Sequence, residues 1–266
     1  MKFTDKLLAV SRQINSLLCI GLDPDPALMP EISILDFNKA IIDNTADLAC
    51  AYKLNLAFYE VLGTDGYDIL QRTIEYIPTH IPIIGDGKRG DIGNTAKAYA
   101  RALFDTLGFD AVTVNPYLGF DSVEPFIEYS DKGVFILCRT SNPGAVDFQN
   151  LPVSDARLLY ETVALKASEW NIQGNIGLVV GATYPEELKQ VRELCPEMPL
   201  LIPGIGTQGG DLASAAKYGV DTHGEKAIIA VSRQILYASR NTNFAEAARH
   251  SAQELRTKIN DSLVKK

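Results

Sequence analysis

Histidine and cysteine are scarce, at three and four residues in a chain of 266, and their placement removes several kinds of chemistry. His80, His223 and His250 lie far apart, and none has a partner at the spacing of a metal site or a catalytic triad. Cys19, Cys50, Cys138 and Cys195 make no C-x-x-C pair, and three of them sit inside apolar runs, so they read as reduced core thiols. No G-x-S-x-G elbow occurs, and Ser141 has no visible base. The opening MKFTDKLLAVSRQINS lacks the roughly 7 to 15 residue apolar core of a signal peptide. No segment approaches the roughly 20 apolar residues that span a bilayer. A cytoplasmic address is expected. Positive charge is also in deficit: 25 Lys and Arg face 33 Asp and Glu, a net charge of −8. Such a surface repels phosphate backbones and anionic head groups, so neither nucleic acid nor membrane is an expected partner. An anionic ligand must instead be drawn in by a local basic cluster.

What remains is ordinary for a globular protein, with 46% hydrophobic and 22% charged residues. No Ser/Gly-rich linker or break in composition divides the chain, which predicts a single domain over 1–266. Short apolar runs predict strands at Leu17–Leu22, Ala49–Leu54, Ile81–Gly85, Ala111–Val114, Gly133–Cys138, Ile176–Val180, Leu200–Ile202 and Ala227–Val231. Helical patterns separate them. Ala96, Tyr99, Ala100, Leu103, Phe104 and Leu107 share one face, and Pro185 with Glu186 and Glu187 marks a helix start that Pro196 ends. A closing helix carries Phe244, Ala247, Ala248, Ser251 and Leu255. Continuous apolar strands alternating with helices imply a parallel sheet covered on both faces. Eight such units close most economically into a (β/α)8 TIM barrel, with a doubly wound open sheet as the runner-up. The stretch before the first strand is then an extra N-terminal helix over the barrel bottom.

In such barrels the active site lies at the C-terminal ends of the strands, and these ends are rich in reactive groups. Asp23 follows LLCIGL, Lys53 ends ACAYK, Asp86 and Lys88 follow PIIG, Asn115 follows AVTV, Arg139 and Ser141 follow FILC, and Arg233 follows AIIAVS. Polar residues are expected wherever strand ends meet solvent, but here six of the eight ends offer one. Asp86 and Lys88, two apart in an extended chain, project to the same side and hold each other charged. As a bare pattern D-x-K-x-x-D also fits a solvated turn; Lys53, aimed at the same mouth, adds a second cation. The literal G-x-G-x-x-G from Gly204 to Gly209 is weak as a Rossmann fingerprint because it falls near the seventh unit. It suits the phosphate loop that barrels place after strands seven and eight, with Arg233 as a charged fork.

Asp86-x-Lys88-x-x-Asp91-Ile92-x-x-Thr95, with Lys53 upstream, resembles the signature of the orotidine 5′-phosphate decarboxylase family. The resemblance continues through Asp23 in GLDPDP, Ser141 in TSNPGA, Gln208 in PGIGTQGGD and Arg233 in VSRQILYA, in order along most of the chain. It looks most like the longer, second-type branch. The resemblance implies a cofactor-free and metal-free homodimer with shared active sites, acting on orotidine 5′-phosphate to give UMP and CO2. It implies a charge network of Lys53, Asp86, Lys88 and Asp91, with Asp91 and Thr95 supplied by the partner subunit. Asp23 would hold ribose hydroxyls together with Lys53, Ser141 the pyrimidine, and Gln208 and Arg233 the phosphate. One departure is that the frequent Gly-Arg-Ser-Ile is here Ser232-Arg233-Gln234-Ile235. The bare residues leave three other readings open: a Mg2+-dependent sugar-phosphate barrel, such as a keto-gulonate phosphate decarboxylase or hexulose phosphate synthase, a Schiff-base aldolase using Lys53 or Lys88, and a phosphate-binding protein without chemistry.

Overall fold

A computed structural model describes residues 1–153, 157–206 and 209–264. Among these residues the apolar runs form eight strands: β1 (Leu18–Gly21), β2 (Ala51–Asn55), β3 (Ile83–Arg89), β4 (Ala111–Val114), β5 (Gly133–Arg139), β6 (Ile176–Val180), β7 (Leu200–Ile202) and β8 (Ala227–Val231). Every pairing is parallel and in sequence order, and β8 returns to β1 to close the barrel. The open-sheet alternative is thereby excluded. Most strand limits lie within two residues of expectation. The exception is β3, which begins later because Pro82 has no N–H for the ladder and runs on through the charged residues to Arg89.

Parallel strands require crossovers, and helices supply them on the outside. They are α1 (Phe3–Ile14), α2 (Ile34–Thr45), α3 (Ala57–Glu60), α4 (Thr64–Tyr76), α5 (Gly93–Arg101), α6 (Phe120–Ile127), α7 (Leu159–Trp170), α8 (Pro185–Leu194), α9 (Leu212–Gly219), α10 (Arg233–Leu236) and α11 (Phe244–Val264). The stripe from Ala96 to Leu107 forms as predicted, although its second half is a π-helix over Ala102–Thr106. Pro185 stands in the first turn of α8, where its missing N–H costs nothing.

Alternation along each strand separates two cores. Val112 and Val114 point outward into the layer shared with the helices, whereas Ala111 points inward with Cys19, Ala51, Ile84, Phe135, Val179, Leu201 and Ile228. Helix α1 seals the lower end of this inner core. Its Phe3 stands edge-on to Phe135, ring centroids 5.6 Å apart, in a space that exists because residue 133 is glycine: a Cβ there would come within 2.5 Å of the Phe3 ring. Lys6 Nζ donates to Asp110 Oδ2 at 2.8 Å, and the same oxygen accepts the N–H of Ile83 at 2.9 Å. With the bottom plugged, side chains at the upper strand ends enclose the accessible interior.

All four cysteines are free and buried. Burial pushes the thiols up, Cys50 to about 12 and Cys195 to about 11, and Cys19 and Cys138 upward as well. Thiolate is the reactive form, so the native chain should be nearly inert to a thiol-reactive disulfide reagent at neutral pH and should titrate four thiols once unfolded. Rapid reaction of the folded chain would show that the barrel core is open.

Candidate active site

The upper layer of the barrel interior is built by residues one pleat above the inner core. Lys53 stands above Ala51, Asp86 above Ile84 and Thr113 above Ala111, all nearly excluded from solvent. Lys53 Nζ donates to Asp86 Oδ2 at 3.0 Å and lies 3.8 Å from Asp23 Oδ1. Lys88 Nζ donates to the other Asp86 oxygen at 2.7 Å. The four groups thus form a chain of alternating sign, Asp23, Lys53, Asp86 and Lys88. Burial alone would push the Asp86 carboxyl up, but Lys53 and Lys88 outweigh it and hold Asp86 well below the usual carboxylate range. Burial would likewise depress Lys53, yet Asp23 and Asp86 hold its ammonium above the usual lysine value. Lys53 and Asp86 are therefore both charged at neutral pH.

Neighbouring backbone fixes this chain of charges. Asp23 Oδ1 accepts the N–H of Asn55 at 3.1 Å, and Tyr237 Oη donates to the Asp23 carbonyl at 2.8 Å while accepting the N–H of Asp25 at 2.7 Å. At Gly21 a Cβ would lie 2.7 Å from Ser232 Cβ and 3.1 Å from Asp23 Oδ2, so β1 can approach β8 and the Asp23 carboxylate this closely only as glycine.

Above the charges opens a cleft of about 860 Å3. Of the residues singled out in the sequence, Asp23, Lys53, Asp86, Lys88, Ser141 and Arg233 line it. Its walls are divided. The ends of β1 to β3 supply Asp23, Lys53, Asn55, Asp86 and Lys88, whereas Leu137, Val179, Leu201 and Ala230 from β5 to β8 make the opposite side apolar. Arg233 is exposed and lines the cleft, as do Gly204 and Ile205 of the glycine loop. Gln208 lies outside the described residues. Gln234, at the site of the departure from the family pattern, packs against Gly206, and Ser232 Oγ is buried with no hydrogen-bond partner among the described residues. Asp91 and Thr95 do not line the cleft: the Asp91 carboxylate accepts the N–H of Ile92 at 2.8 Å, and Thr95 is exposed on α5. Among the described residues no three His, Cys, Asp or Glu side chains could jointly hold a metal ion.

Sequence reasoning missed Thr113, Tyr237 and Gln149. Thr113 Oγ1 donates to Asp86 Oδ1 at 2.9 Å. Gln149 closes the loop after β5, its Oε1 accepting the Thr140 N–H and its Nε2 donating to Thr140 Oγ1, both at 2.8 Å. Thr113 carried a signal, being the polar member of the apolar run AVTV at an inward-facing position; Gln149, ten residues past its strand, carried none.

The charge chain makes a specific demand on stability. Asp86 has its folded pKa below an unfolded value of about 3.9, so it contributes stability above that pH and loses it as pH falls. In Lys53→Met the largest cationic influence on Asp86 is gone, and burial, opposed by Lys88 alone among the cations, brings the pKa of its carboxyl back up. The variant should be destabilised by about 3 kcal/mol at neutral pH. The deficit against the unmodified chain should shrink as pH is lowered toward 4, measured by thermal unfolding across pH. A pH-independent deficit would mean that Lys53 contributes packing rather than charge.

Comparison with known proteins accounts for this arrangement. Residues 16–248 match the family model described as the orotidine 5′-phosphate decarboxylase / HUMPS family. Over 264 residues, 98% of each chain, the sequence is 57% identical to an orotidine 5′-phosphate decarboxylase of Dehalococcoides mccartyi. The fold superposes on the Leishmania donovani OMP decarboxylase structure with a TM-score of 0.88 at 40% identity, covering 100% of both chains. It superposes on the Leishmania donovani UMP synthase structure with a TM-score of 0.92 at 43% identity, covering all of this chain and 57% of that one. An eight-stranded closed barrel, a Lys53–Asp86–Lys88 core and a family match over nearly its whole length agree: the chain belongs to the orotidine 5′-phosphate decarboxylase / HUMPS family.

Proposed function

We propose that this protein converts orotidine 5′-phosphate to UMP and CO2, in de novo pyrimidine synthesis, using fixed protein charges. The observation that carries the reading is the Asp86 carboxylate gripped by Lys53 and Lys88 at 3.0 and 2.7 Å, at the base of a cleft whose far wall is apolar. Loss of CO2 from C6 leaves a carbanion with no adjacent carbonyl to accept the electron pair. Its stabilisation must come from positive charge already in position. Lys88 supplies it: the ammonium gains attraction as negative charge develops and then delivers its proton to C6. Asp86 orients Lys88 and faces the departing carboxylate. The apolar wall from β5 to β8 suits the flat ring, with Ser141 at its edge; Asp23 and Lys53 hold the ribose hydroxyls. Arg233 binds the phosphate, and the unpartnered Ser232 hydroxyl beside it is a further donor to the same group. The remaining phosphate contact is assigned to Gln208.

The working unit in this reading is a homodimer. Asp91 and Thr95, absent from the cleft of their own chain, complete the charge network of a second copy. In support, Ile92, Tyr117, Leu118 and Phe120 are large, exposed apolar residues, Tyr117 at 81% exposure, and they follow the adjacent strands β3 and β4. An apolar surface of this kind next to a functional segment suits a subunit interface. No helix among the described residues is long and apolar enough to cross a membrane.

A spectrophotometric assay of orotidine 5′-phosphate turnover, with and without EDTA, tests the activity. Turnover should be unaffected by the chelator, Lys88→Ala should lower kcat by about three orders of magnitude or more, and Arg233→Ala should act mainly on KM. An active Lys88→Ala enzyme would remove the proton-donor assignment. No turnover by the folded chain, with Mg2+-dependent action on a sugar phosphate, would replace the reading. The shared site has its own test. Lys88→Ala and Asp91→Ala proteins, each inactive, should recover about a quarter of unmodified activity when subunits exchange, because each mixed dimer regains one intact site. Absence of recovery in demonstrably mixed dimers would assign Asp91 to its own chain.

A further inference from the structure

The strand that carries Asp86 and Lys88 is not regular. Gly85 pairs with Val112 and Arg89 with Val114, so four steps along β3 oppose two along β4. The two extra residues bulge out of the ladder, and Thr113 is the β4 residue opposite them. At a bulge the displaced backbone loses its ladder partner, and in this bulge Lys88 adopts φ +46°, the left-handed region that a non-glycine residue occupies only when held there. What holds it is a side chain. Thr113 Oγ1 accepts the Lys88 backbone N–H at 2.9 Å and donates its own proton to Asp86 Oδ1 at 2.9 Å. One buried hydroxyl therefore replaces the missing ladder bond and simultaneously orients the carboxylate that grips Lys88 Nζ. The oxygen it touches is the one facing Lys88, whereas Lys53 takes the other.

We infer that Thr113 is a positioning residue for the decarboxylation: it anchors the β3 bulge so that the Asp86 carboxylate and the Lys88 ammonium are held where the reacting carbon needs them. The inference rests on the proposed activity and deepens it. Thr113 is not among the residues that line the cleft and acts through its two neighbours. Its removal should thus be felt in the chemical step and scarcely in binding, because the groups that hold ribose, ring and phosphate lie elsewhere.

The experiment compares Thr113→Val, which keeps the shape and deletes the hydroxyl, with Thr113→Ser, which keeps the hydroxyl and deletes the methyl. Unmodified protein is assayed beside them with orotidine 5′-phosphate. In Thr113→Val kcat should fall about 30-fold, the size expected when a buried charged group loses a hydrogen bond. KM and the affinity for UMP measured by calorimetry should move by no more than about twofold, since only interactions specific to the transition state are lost. Thr113→Ser should recover kcat to within about threefold of the unmodified value. The assignment is overturned if Thr113→Val keeps its kcat, if Thr113→Ser is as impaired as Thr113→Val, or if UMP affinity falls in step with kcat. Should the valine variant fail to fold, Thr113→Ala against Thr113→Ser decides in the same way, equal rates overturning the role of the hydroxyl. Unmodified protein that does not turn over orotidine 5′-phosphate removes the decarboxylase reading and this role with it; an active parent with an equally active valine variant removes only the role of Thr113.

Discussion

A carboxylate taken out of water stays ionised only where cations come to it, and the Asp86 carboxylate sets the terms for everything around it. Burial works against its charge, and two ammoniums reverse the balance. The ammoniums cannot come from sequence neighbours alone: Lys88 is two residues away, but Lys53 is 33 residues distant and on another strand. A closed parallel barrel brings the upper ends of successive strands to one ring, so Lys53 and Asp86 meet with no long loop to order. The α1 plug, the apolar inner core and the tight approach at Gly21 are the supports of that ring. The chain Asp23, Lys53, Asp86, Lys88 exists because β1, β2 and β3 are neighbours in it.

The same closure divides the cleft. Polar side chains at the ends of β1 to β3 face Leu137, Val179, Leu201 and Ala230 from β5 to β8. On the apolar side little water competes with protein dipoles, so charges on the polar side act at short range and at full strength. On the polar side each described charge has a partner before any ligand arrives, so reorganisation during reaction is small. A flat heterocycle with one charged edge matches such a space. The acidic surface matters here too: with a net charge of −8, an anionic nucleotide is attracted by the cations of the cleft rather than by the protein as a whole.

Most of this architecture was legible in the sequence because it is repetitive. Apolar runs bounded by polar ends mark eight strands, and the count together with the parallel pattern makes closure the economical solution, which the pairing of β8 with β1 then decides. The charged residues at strand ends were legible for the same reason, since the fold assigns those positions to the active face. The missing part was tertiary. The bulge in β3 could not be read from Gly85-Asp86-Gly87-Lys88, because a strand of regular pitch through those residues has the same sequence signature; what marks the bulge is the register against β4. Thr113 was visible as a hydroxyl in an apolar run, but its two partners emerge only from that register. The clamp of Arg192, whose guanidinium donates to the carbonyls of Cys195, Pro196, Met198, Gly219 and Lys226, was hidden for a related reason. Its acceptors are backbone atoms, which no residue pattern reveals. Asp91 and Thr95 belong to a different class, since their expected place is in another copy of the chain.

The balance of charge in the cleft bears on how binding and chemistry are divided. Asp23 and Asp86 carry two negative charges, Lys53 and Lys88 two positive ones, and within one chain they cancel. A substrate carboxylate set beside Asp86 therefore meets no net attraction at that end, and Asp91 from a second copy would tilt the end toward repulsion. Binding must then be secured elsewhere, at the phosphate, for which the proposed reading uses Arg233 on the cleft lining. Remote binding of this kind can hold a reacting group against an unfavourable neighbour, and the opposition disappears as the carboxylate leaves as neutral CO2. In the proposed reaction the carbanion left behind would face Lys88, whose attraction would grow while that of the phosphate contacts stayed constant. The proposed reading thus assigns selectivity for the nucleotide and acceleration of its decarboxylation to opposite ends of one cleft, with the barrel setting the distance between them.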